Sequence, residues 1–483
     1  MTISRRTALS GLISTGVAAS TAACGRPTTE ESFKESRVQL NLTPSQNAAF
    51  NPPLDYQQPT AMNGLLLNQE RAMAEMQKAG VDLLISATAK NIYYLTNQRP
   101  IYFSLGLPGL SFATLSAHGD GKPTFLDSQI GYYFTAPDKP QADLINLKFV
   151  SGPADPEAYE KITNINDLAN APAGPGFLPR VHADHKLSQS EAFRRSLTER
   201  ESTEMAASFD AALLQEILSN PLPNKTIAID DDRLRRVIEK SELDIRVVDG
   251  EALTRRIRLQ KSPMELQLAR YAIASNAAAA RATALTARSG ATFQEIRAEF
   301  AKNCAAHSCN MNFMMIDTLT PHFTHGEIEE GRSFLIDCVS EFQGYHGDYG
   351  RTVCVGEPTR EINAVLDTLS VTWDRLRSEL RPGMTYNDLH ERAAALFKES
   401  TVDVAFYINP HTIGLNHSDD PVGGEFGAFQ KENLTLQEGM ILSIDMPVLD
   451  NGLGGSAHLE DLVLIGKDGA ELLNDSSDRF IIV

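Results

Sequence analysis

The stretch FLIDCVSEFQGYHGDYGRTVCVG, residues 334–356, places two aspartates in a hairpin whose other residues favour burial. We expect one strand to end at Asp337 and a second strand to begin at Asp348, eleven residues later, with a loop between them. An aspartate at a strand end is most often a turn or cap residue, so the pair alone is weak evidence for a metal site. If the strands are neighbours, one carboxylate could bind a divalent ion through both oxygens and the other could bridge two ions.

A second hairpin, GMILSIDMPVLDNGLGGSAHLEDLVLIG, occupies residues 439–466 and also carries acids. Its turn region contains the run NGLGG, residues 451–455, which is a strong signal for chain reversal. Asp445 lies in the first predicted strand and Glu460 in the second. An unpaired carboxylate is costly to bury, and few Lys or Arg residues lie nearby, so a metal ion is a good candidate for the positive partner.

Two histidines lie between the hairpins, in the segment NPHTIGLNHSDDP of residues 409–421. Taken alone, His411 or His417 would more often be a structural histidine than a ligand. Here they accompany acids on two hairpins, and imidazole and carboxylate are the ligands that divalent metals of hard or borderline character prefer.

The order Asp, Asp, His, acid, Glu resembles the pita-bread metallopeptidases, the family of methionine aminopeptidase, prolidase, aminopeptidase P and the non-peptidase creatinase. The family also has ligand aspartates eleven residues apart, a Gly-Leu pair like Gly414-Leu415 after its histidine, and a last motif similar to LEDLVLI. The segments MQKAGVDLLISATAKNIYYLTN and RLQKSPMELQLARYA resemble the start of the N-terminal domain and the entry to the catalytic domain of creatinase and prolidase. The resemblance therefore covers residues 62–483.

The resemblance implies a site for two divalent ions, with Mn²⁺, Co²⁺, Fe²⁺ and Zn²⁺ as the candidates. Asp337 would bind one ion through both oxygens, and Asp348 and Glu460 would bridge the pair. His411 and Asp445 would complete the ligands of the second ion. The implied reaction is hydrolysis of a short peptide, at the bond before proline or near a free N-terminus, by a hydroxide that the two ions share.

The resemblance also implies three catalytic residues. Asp445 would transfer protons in addition to binding metal. His417 and His322 would contact the substrate carbonyl and stabilise the negative charge that develops on it. His325 competes with His322 for this role, because the spacing from His322 to Asp337 is slightly shorter than is usual in the family.

Three departures from the family pattern leave the substrate open. Asp445 stands where the family usually has the longer Glu, and the spacing from His411 to His417 is short. His458 stands where many proline-specific members have Arg, whose planar guanidinium can bind a carboxylate through two nitrogens. The alternatives are a lyase or amidinohydrolase that acts on a small zwitterion on the same fold, and a metal-free binding protein.

Two domains are expected. Alternating strand and helix signals predict an α/β domain over residues 61–252. Helices and antiparallel strands predict an α+β domain over residues 253–483, which the resemblance identifies as the pita-bread catalytic domain. Ser262-Pro263, with an acid in the first turn, predicts the start of a long Ala-rich amphipathic helix. The N-terminal domain of this family commonly contributes to dimerisation, so the resemblance implies a homodimer.

The first residues predict export. The segment SRRTALSGLISTGVAASTAAC, residues 4–24, has adjacent arginines, a short weakly apolar stretch and then small residues, and it resembles a twin-arginine signal. We expect this signal over residues 1–28, an irregular arm over residues 29–60, and a periplasmic location. The chain around Cys24 also resembles a lipoprotein processing site, so a lipid anchor at Cys24 is an open alternative.

The amino-acid composition limits the classes of molecule that the protein is expected to bind. The chain has 44 Lys and Arg against 62 Asp and Glu, a net charge of −18, and it has no basic run, which argues against nucleic acid as a partner. Besides Cys24 there are four cysteines, too few for a disulfide scaffold in 483 residues, and none has the spacing of a zinc site. We therefore expect buried free thiols and a small peptide or other small molecule as the substrate.

Overall fold

The computed structural model describes residues 58–59, 62–135, 143–182, 186–322, 325–423 and 430–483. The predicted export signal, the candidate lipid anchor at Cys24 and nearly all of the predicted arm lie outside the described residues. The described chain forms two large β-sheets with helices, one sheet from the N-terminal half of the chain and one from the C-terminal half.

The first sheet contains seven strands and is mixed. The strands are β1 (Leu83–Ser86), β2 (Ser111–Ser116), β3 (Thr124–Ser128), β4 (Asn146–Val150), β5 (Met205–Ala206), β6 (Thr226–Ile229) and β7 (Arg246–Asp249). Their order across the sheet is β5-β4-β3-β2-β1-β6-β7. Strand β2 is antiparallel to β1 and β3, and all other neighbours are parallel.

Helices cover both faces of the first sheet. They are α1 (Gln69–Ala79), α2 (Ala89–Thr96), α3 (Ile101–Ser104), α4 (Gln129–Thr135), α5 (Pro156–Glu160), a 3₁₀ helix (Ile165–Asn170), α6 (Gln189–Glu201), α7 (Phe209–Ser219), α8 (Asp232–Lys240) and α9 (Gly250–Arg258). Leu84 packs in one apolar cluster, whereas its neighbours Leu83 and Ile85 pack in another. Adjacent side chains of a strand point to opposite faces, so the sheet is buried on both sides, and the α/β prediction is confirmed.

Asp127, in the interior strand β3, is a buried acid that forms no ion pair with any described residue. Its Oδ1 accepts hydrogen bonds from the Ser111 hydroxyl at 3.1 Å and from the Ser128 backbone N–H at 2.7 Å. Its Oδ2 makes no hydrogen bond to any residue that the structure describes. Burial raises the pKa of Asp127 to about 8, although these two hydrogen bonds act in the opposite direction.

Asp127 should therefore make the stability of the protein depend on pH. The unfolded carboxyl loses its proton near pH 3.8 and the folded carboxyl only near pH 8, so between these values the folded state holds the extra proton and stability falls as pH rises. Within this pH range, Asp127 should lower the free energy of unfolding by about 1.4 kcal/mol for each pH unit of increase. Urea unfolding of wild type and Asp127→Asn at two pH values one unit apart would measure it. Equal pH slopes in the two proteins would contradict the assignment.

The second sheet holds the two hairpins. Its strands are β8 (Asn310–Ile316), β9 (Ser333–Phe342), β10 (Tyr345–Cys354), β11 (Asn409–Thr412), β14 (Ile441–Val448), β15 (Ala457–Ile465), β16 (Ala470–Leu472) and β17 (Phe480–Ile482), while β12 (Val422–Gly423) and β13 (Gln430–Lys431) form a separate pair. The order β11-β14-β15-β10-β9-β8 is antiparallel throughout, with β16 beside β15 and β17 parallel to β10. Helices α10 (Pro263–Ala284), α11 (Phe293–Ala306), α12 (Arg360–Glu379) and α13 (Tyr386–Phe397) complete the predicted α+β arrangement.

The first hairpin differs from the sequence prediction. The strand predicted to end at Asp337 continues to Phe342, and the chain turns at Gln343 and Gly344, whose φ angles are 52° and 81°. The second strand begins before Asp348 rather than at it. Both aspartates are thus interior strand residues, and the predicted loop between them was wrong.

Helix α10 explains why the polar residues between the aspartates remain in strands. Asn276 of this helix accepts a hydrogen bond from the Ser340 hydroxyl and donates one to the Cys338 carbonyl, each at 2.7 Å. A Cβ at Gly347 would lie 2.5 Å from the Cβ of Asn276 and 2.6 Å from the Ala272 carbonyl oxygen, so the glycine allows this close contact. The helix therefore covers the back of the hairpin, and the face that carries the aspartates points away from it.

Helix α10 begins as predicted but is buried more completely. Ser262 and Glu265 form a capping box, and Pro263 occupies the first turn. The helix was expected to be amphipathic, yet 17 of its 22 residues are buried. This is because it packs against both strands of the hairpin and against α11.

The cysteines outside the N-terminal segment are Cys304, Cys309, Cys338 and Cys354, and all are buried and free. Burial raises the pKa of the Cys304 and Cys309 thiols to about 12. They are therefore protonated and unreactive at neutral pH.

Candidate metal centre

Strand register brings four acids to one face of the second sheet. Asp337 on β9 lies opposite Gly350 on β10, and Glu460 on β15 lies opposite the same glycine from the other side. Asp445 on β14 lies opposite Glu460. Directly opposed residues of antiparallel strands share a face, and Asp348, two positions before Gly350, shares it as well.

Two histidines lie over the same face. Nε2 of His411 on β11 is 3.7 Å from Oδ2 of Asp348 and 3.7 Å from Oδ2 of Asp445. Nε2 of His417, in the loop after β11, is 2.8 Å from Oδ2 of Asp348. The centroids of the two imidazole rings are 4.9 Å apart, and the ring of Phe313 meets His417 edge-on.

Buried polar contacts hold the loop that carries His417. Asp419 accepts a hydrogen bond at 2.7 Å from the guanidinium of Arg258, which lies fully buried at the end of α9. Asp420 accepts hydrogen bonds from the hydroxyls of Thr412 at 2.7 Å and Tyr386 at 2.8 Å. The loop is thus tied to α9 and α13, which fixes the position of His417 against Asp348.

The four acids have little access to water and repel one another. Burial and the charges of Asp348 and Asp445 raise the pKa of Asp337 well above its ordinary value. Burial and the same two acids, with Asp337, also raise the pKa of Glu460. Burial would raise the pKa of Asp348 too, but His417 holds it below its ordinary value. Burial alone would lower the pKa of His417, yet Asp348 raises it.

The donor atoms of this cluster fit divalent cations. Among the described residues, no Lys or Arg forms an ion pair with any of the four acids. Several inward-facing atoms make no hydrogen bond: Oδ1 of Asp337, Oδ1 of Asp348, Oε2 of Glu460 and Nε2 of His411. Buried carboxylates without a positive partner are costly, so a cation between these atoms is the arrangement that their chemistry favours.

Within the described part of the chain, three overlapping groups of ligand atoms lie close enough together to share a metal ion. They are Asp348 with His411 and His417, His411 with Asp445 and Glu460, and Asp337 with His458 and Glu460. Within each group the donor atoms lie within 4.8 Å of one another. Two polar neighbours orient the acids: Asn409 donates a hydrogen bond to Asp445 at 2.8 Å, and the Ser443 hydroxyl donates one to Glu460.

The structure brings together most of the residues that the sequence singled out. All five predicted ligands lie in these groups, as does His417: Asp337, Asp348, His411, Asp445 and Glu460. His322 is exposed in a turn, and neither it nor His325 belongs to any group among the described residues. His458 was noted only as a replacement for Arg. Its spacing of two residues from Glu460 was the signal that both share a face.

Comparison with known proteins agrees with this arrangement. The family model described as metallopeptidase family M24 matches residues 267–467. The probable dipeptidase PepE of Mycobacterium tuberculosis is 27% identical over 205 residues, covering 40% of this chain and 52% of that protein. The Xaa-Pro dipeptidase of Pyrococcus furiosus is 29% identical over 155 residues, covering 32% of this chain and 43% of that protein. The matches thus span about half the length of these relatives.

Similarity of fold extends further than similarity of sequence. The structure of the Xaa-Pro dipeptidase from Bacillus anthracis superposes with a TM-score of 0.58 at 16% identity, covering 86% of this chain and 99% of that one. The predicted pita-bread fold is therefore confirmed. Every ligand group described above lies within residues 267–467. Residues 267–467 therefore form a metallopeptidase family M24 domain.

Proposed function

We propose that this protein is a dinuclear-metal-dependent peptidase that hydrolyses short peptides, with the bond before proline as the first candidate. The observation that carries the proposal is a set of three buried acids, the partly buried Asp445 and two imidazoles at one sheet face, and none of the acids has an Arg or Lys partner among the described residues. The names of the relatives, a dipeptidase and an Xaa-Pro dipeptidase, support short peptides as the substrate class.

The residues around the cluster suit peptide hydrolysis. Two divalent ions, when bound, supply Lewis-acid polarisation of a carbonyl group and lower the pKa of water that they bind. Asp445 is the most accessible of the four acids, with 13% of its side chain exposed against 1% for Asp348, so it is best placed to exchange a proton with substrate. His417 has a third of its side chain exposed and a raised pKa, which suits it to donate a hydrogen bond to a substrate carbonyl.

Assay of the metal-loaded protein tests this proposal. Purified protein is analysed for bound metal, loaded with Mn²⁺, Co²⁺ or Zn²⁺, and offered dipeptides with and without proline beside small zwitterions. We expect about two ions per chain and hydrolysis of Xaa-Pro dipeptides that a chelator abolishes. Absence of bound metal, together with absence of activity after each metal is added, would contradict the proposal and favour a metal-free binding protein.

A second candidate function is a different reaction on a small zwitterion, catalysed on the same fold. The observation that favours it is His458, which is buried at the position where many proline-specific members of the family have Arg. Without that guanidinium, bidentate recognition of a carboxylate is weaker. Turnover of the zwitterions alone in the same assay would favour this candidate.

Export to the periplasm, a lipid anchor at Cys24 and a homodimer are further parts of the proposal. Export and lipidation are supported by the motifs of residues 1–28, and the dimer by the family resemblance. None of the helices in the described part of the chain is long and apolar enough to cross a membrane. His322 remains a proposed catalytic residue, supported by the family resemblance only.

A further inference from the structure

The imidazole of His458 lies within the acid cluster. His458 is in β15 two residues before Glu460, so the two side chains project from the same face. A Cβ at Gly350 would lie only 2.2 Å from Cδ2 and Nε2 of this imidazole. Glycine is unfavourable inside a strand, and here it provides the space in which the ring sits beside Glu460 and Asp337.

The ring nitrogen of His458 that faces the acids has no hydrogen-bond partner among the described residues. His458 is 1% exposed, and its Nε2 makes no hydrogen bond. This atom is 3.4 Å from Oε2 of Glu460, which likewise makes no hydrogen bond. His346, which is also buried, shows the contrast, because its Nδ1 pairs with the Gly414 carbonyl at 3.0 Å. A buried polar atom left without a partner is destabilising, so the site favours a ligand between His458 and the acids.

The three nearest donor atoms can share one ion. Atoms of Asp337, His458 and Glu460 lie within 4.8 Å of one another, and Oδ1 of Asp337 also makes no hydrogen bond. Two carboxylates and one neutral imidazole form a ligand set that a divalent transition metal accepts. The group His411, Asp445 and Glu460 has the same composition, and Glu460 belongs to both.

We propose that His458 is a ligand of the metal ion held by Asp337 and Glu460, so that both ions of the centre receive an imidazole. This inference rests on the proposed metal-dependent function. A position with carboxylate ligands alone suits Mn²⁺, whereas an imidazole favours Zn²⁺, Fe²⁺ or Co²⁺. His458 should therefore make this position selective for Zn²⁺ or Co²⁺ over Mn²⁺.

Metal titration of the full chain tests the proposal without reference to activity. Metal-free wild type, His458→Gln and His411→Gln are titrated with Co²⁺, Zn²⁺ and Mn²⁺ by calorimetry. His307→Gln is the matched control, because His307 is buried but lies outside every ligand group among the described residues. We expect His458→Gln to lower the affinity for one of the two Zn²⁺ or Co²⁺ ions about 10- to 100-fold or more, with a smaller loss of affinity for Mn²⁺. His307→Gln should leave the affinity for both ions unchanged.

If His458→Gln does not fold, the number of imidazoles bound to the metal ions can be counted by spectroscopy in another variant. X-ray absorption of Co²⁺-loaded His417→Gln, in which the loop histidine is removed, should detect two imidazoles for the two ions. A count of one, or unchanged affinities in His458→Gln, would overturn the role of His458 while leaving the metal-dependent function intact. Wild type that binds no metal would instead overturn both.

Discussion

Asp348→Ala should lose both metal and catalysis while the chain still folds. Asp348 contacts His417 directly and His411 more distantly, so its loss removes the carboxylate that lies beside both imidazoles. Loss of a residue that merely supports a ligand costs 10–100-fold in metal affinity or activity, so loss of this ligand should reduce kcat/KM by more than about 100-fold. Metal analysis and steady-state assays measure these effects, and circular dichroism and thermal melting report the fold.

The fold should survive because the substitution removes one of several mutually repelling buried charges. His417 loses its partner, but a third of its side chain is exposed, so water can solvate it. Asp82→Ala is the matched control, since Asp82 is buried and lies 2.8 Å from His118 in the same kind of pair. This control should lose stability, because Asp82 also accepts backbone hydrogen bonds, and should keep its metal. Full metal content and activity in Asp348→Ala would refute the assignment.

Asp461→Ala should destabilise the protein by about 3–5 kcal/mol. Asp461 and Arg351 are both fully buried, and Nη2 of Arg351 lies 2.6 Å from Oδ1 of Asp461. Removing the carboxylate leaves a buried guanidinium charge without its partner. It also removes an acceptor for the side chains of Asn474 and Ser476, which hold the C-terminal segment to β15. Urea unfolding in the presence of a chelator measures this loss without a contribution from bound metal.

An exposed ion pair provides the comparison for Asp461. Glu471 lies on β16 and pairs with Arg270, but half of its side chain is exposed. Water and salt screen such a pair, so Glu471→Ala should cost at most about 1 kcal/mol. If the free energy of unfolding of Asp461→Ala equals that of wild type, the buried charge of Arg351 is not stabilised by Asp461.

The acids of the centre could be found from the sequence because strands rarely bury carboxylates without a reason. Local sequence could not separate Glu460 from Asp461, which stand side by side in LEDL. Asp461 is neutralised by Arg351, which is 110 residues away along the chain, whereas Glu460 has no such partner among the described residues. The ion pair of Asp461 with Arg351, on the opposite face of the strand, therefore decides which of the two acids is left to bind a metal. That ion pair joins residues far apart in sequence, so local sequence does not reveal it.

The length of the first hairpin could not be predicted for a similar reason. Ser340 and neighbouring polar residues favour a loop when they are considered alone. In the fold, the Ser340 hydroxyl donates a hydrogen bond to Asn276, which lies 64 residues away along the chain. His458 shows a further limit, because the space for its ring depends on Gly350 in a neighbouring strand. Residue type and spacing identified the cluster, while the partners of each side chain required the assembled sheet.

The common face of β9, β10, β14 and β15 also restricts how this centre can diverge among relatives. Inserting one residue within a strand rotates every following side chain to the other face, so an insertion in β14 would turn the ligands after it away from the rest. Residues 449–453 lie between β14 and β15 outside the ladder, and their number can vary without that penalty, whereas Gly455 forms a bridge with Ser333. New chemistry at this centre must therefore arise by exchanging residues at alternate positions, such as 458, rather than by gaining or losing residues within the strands.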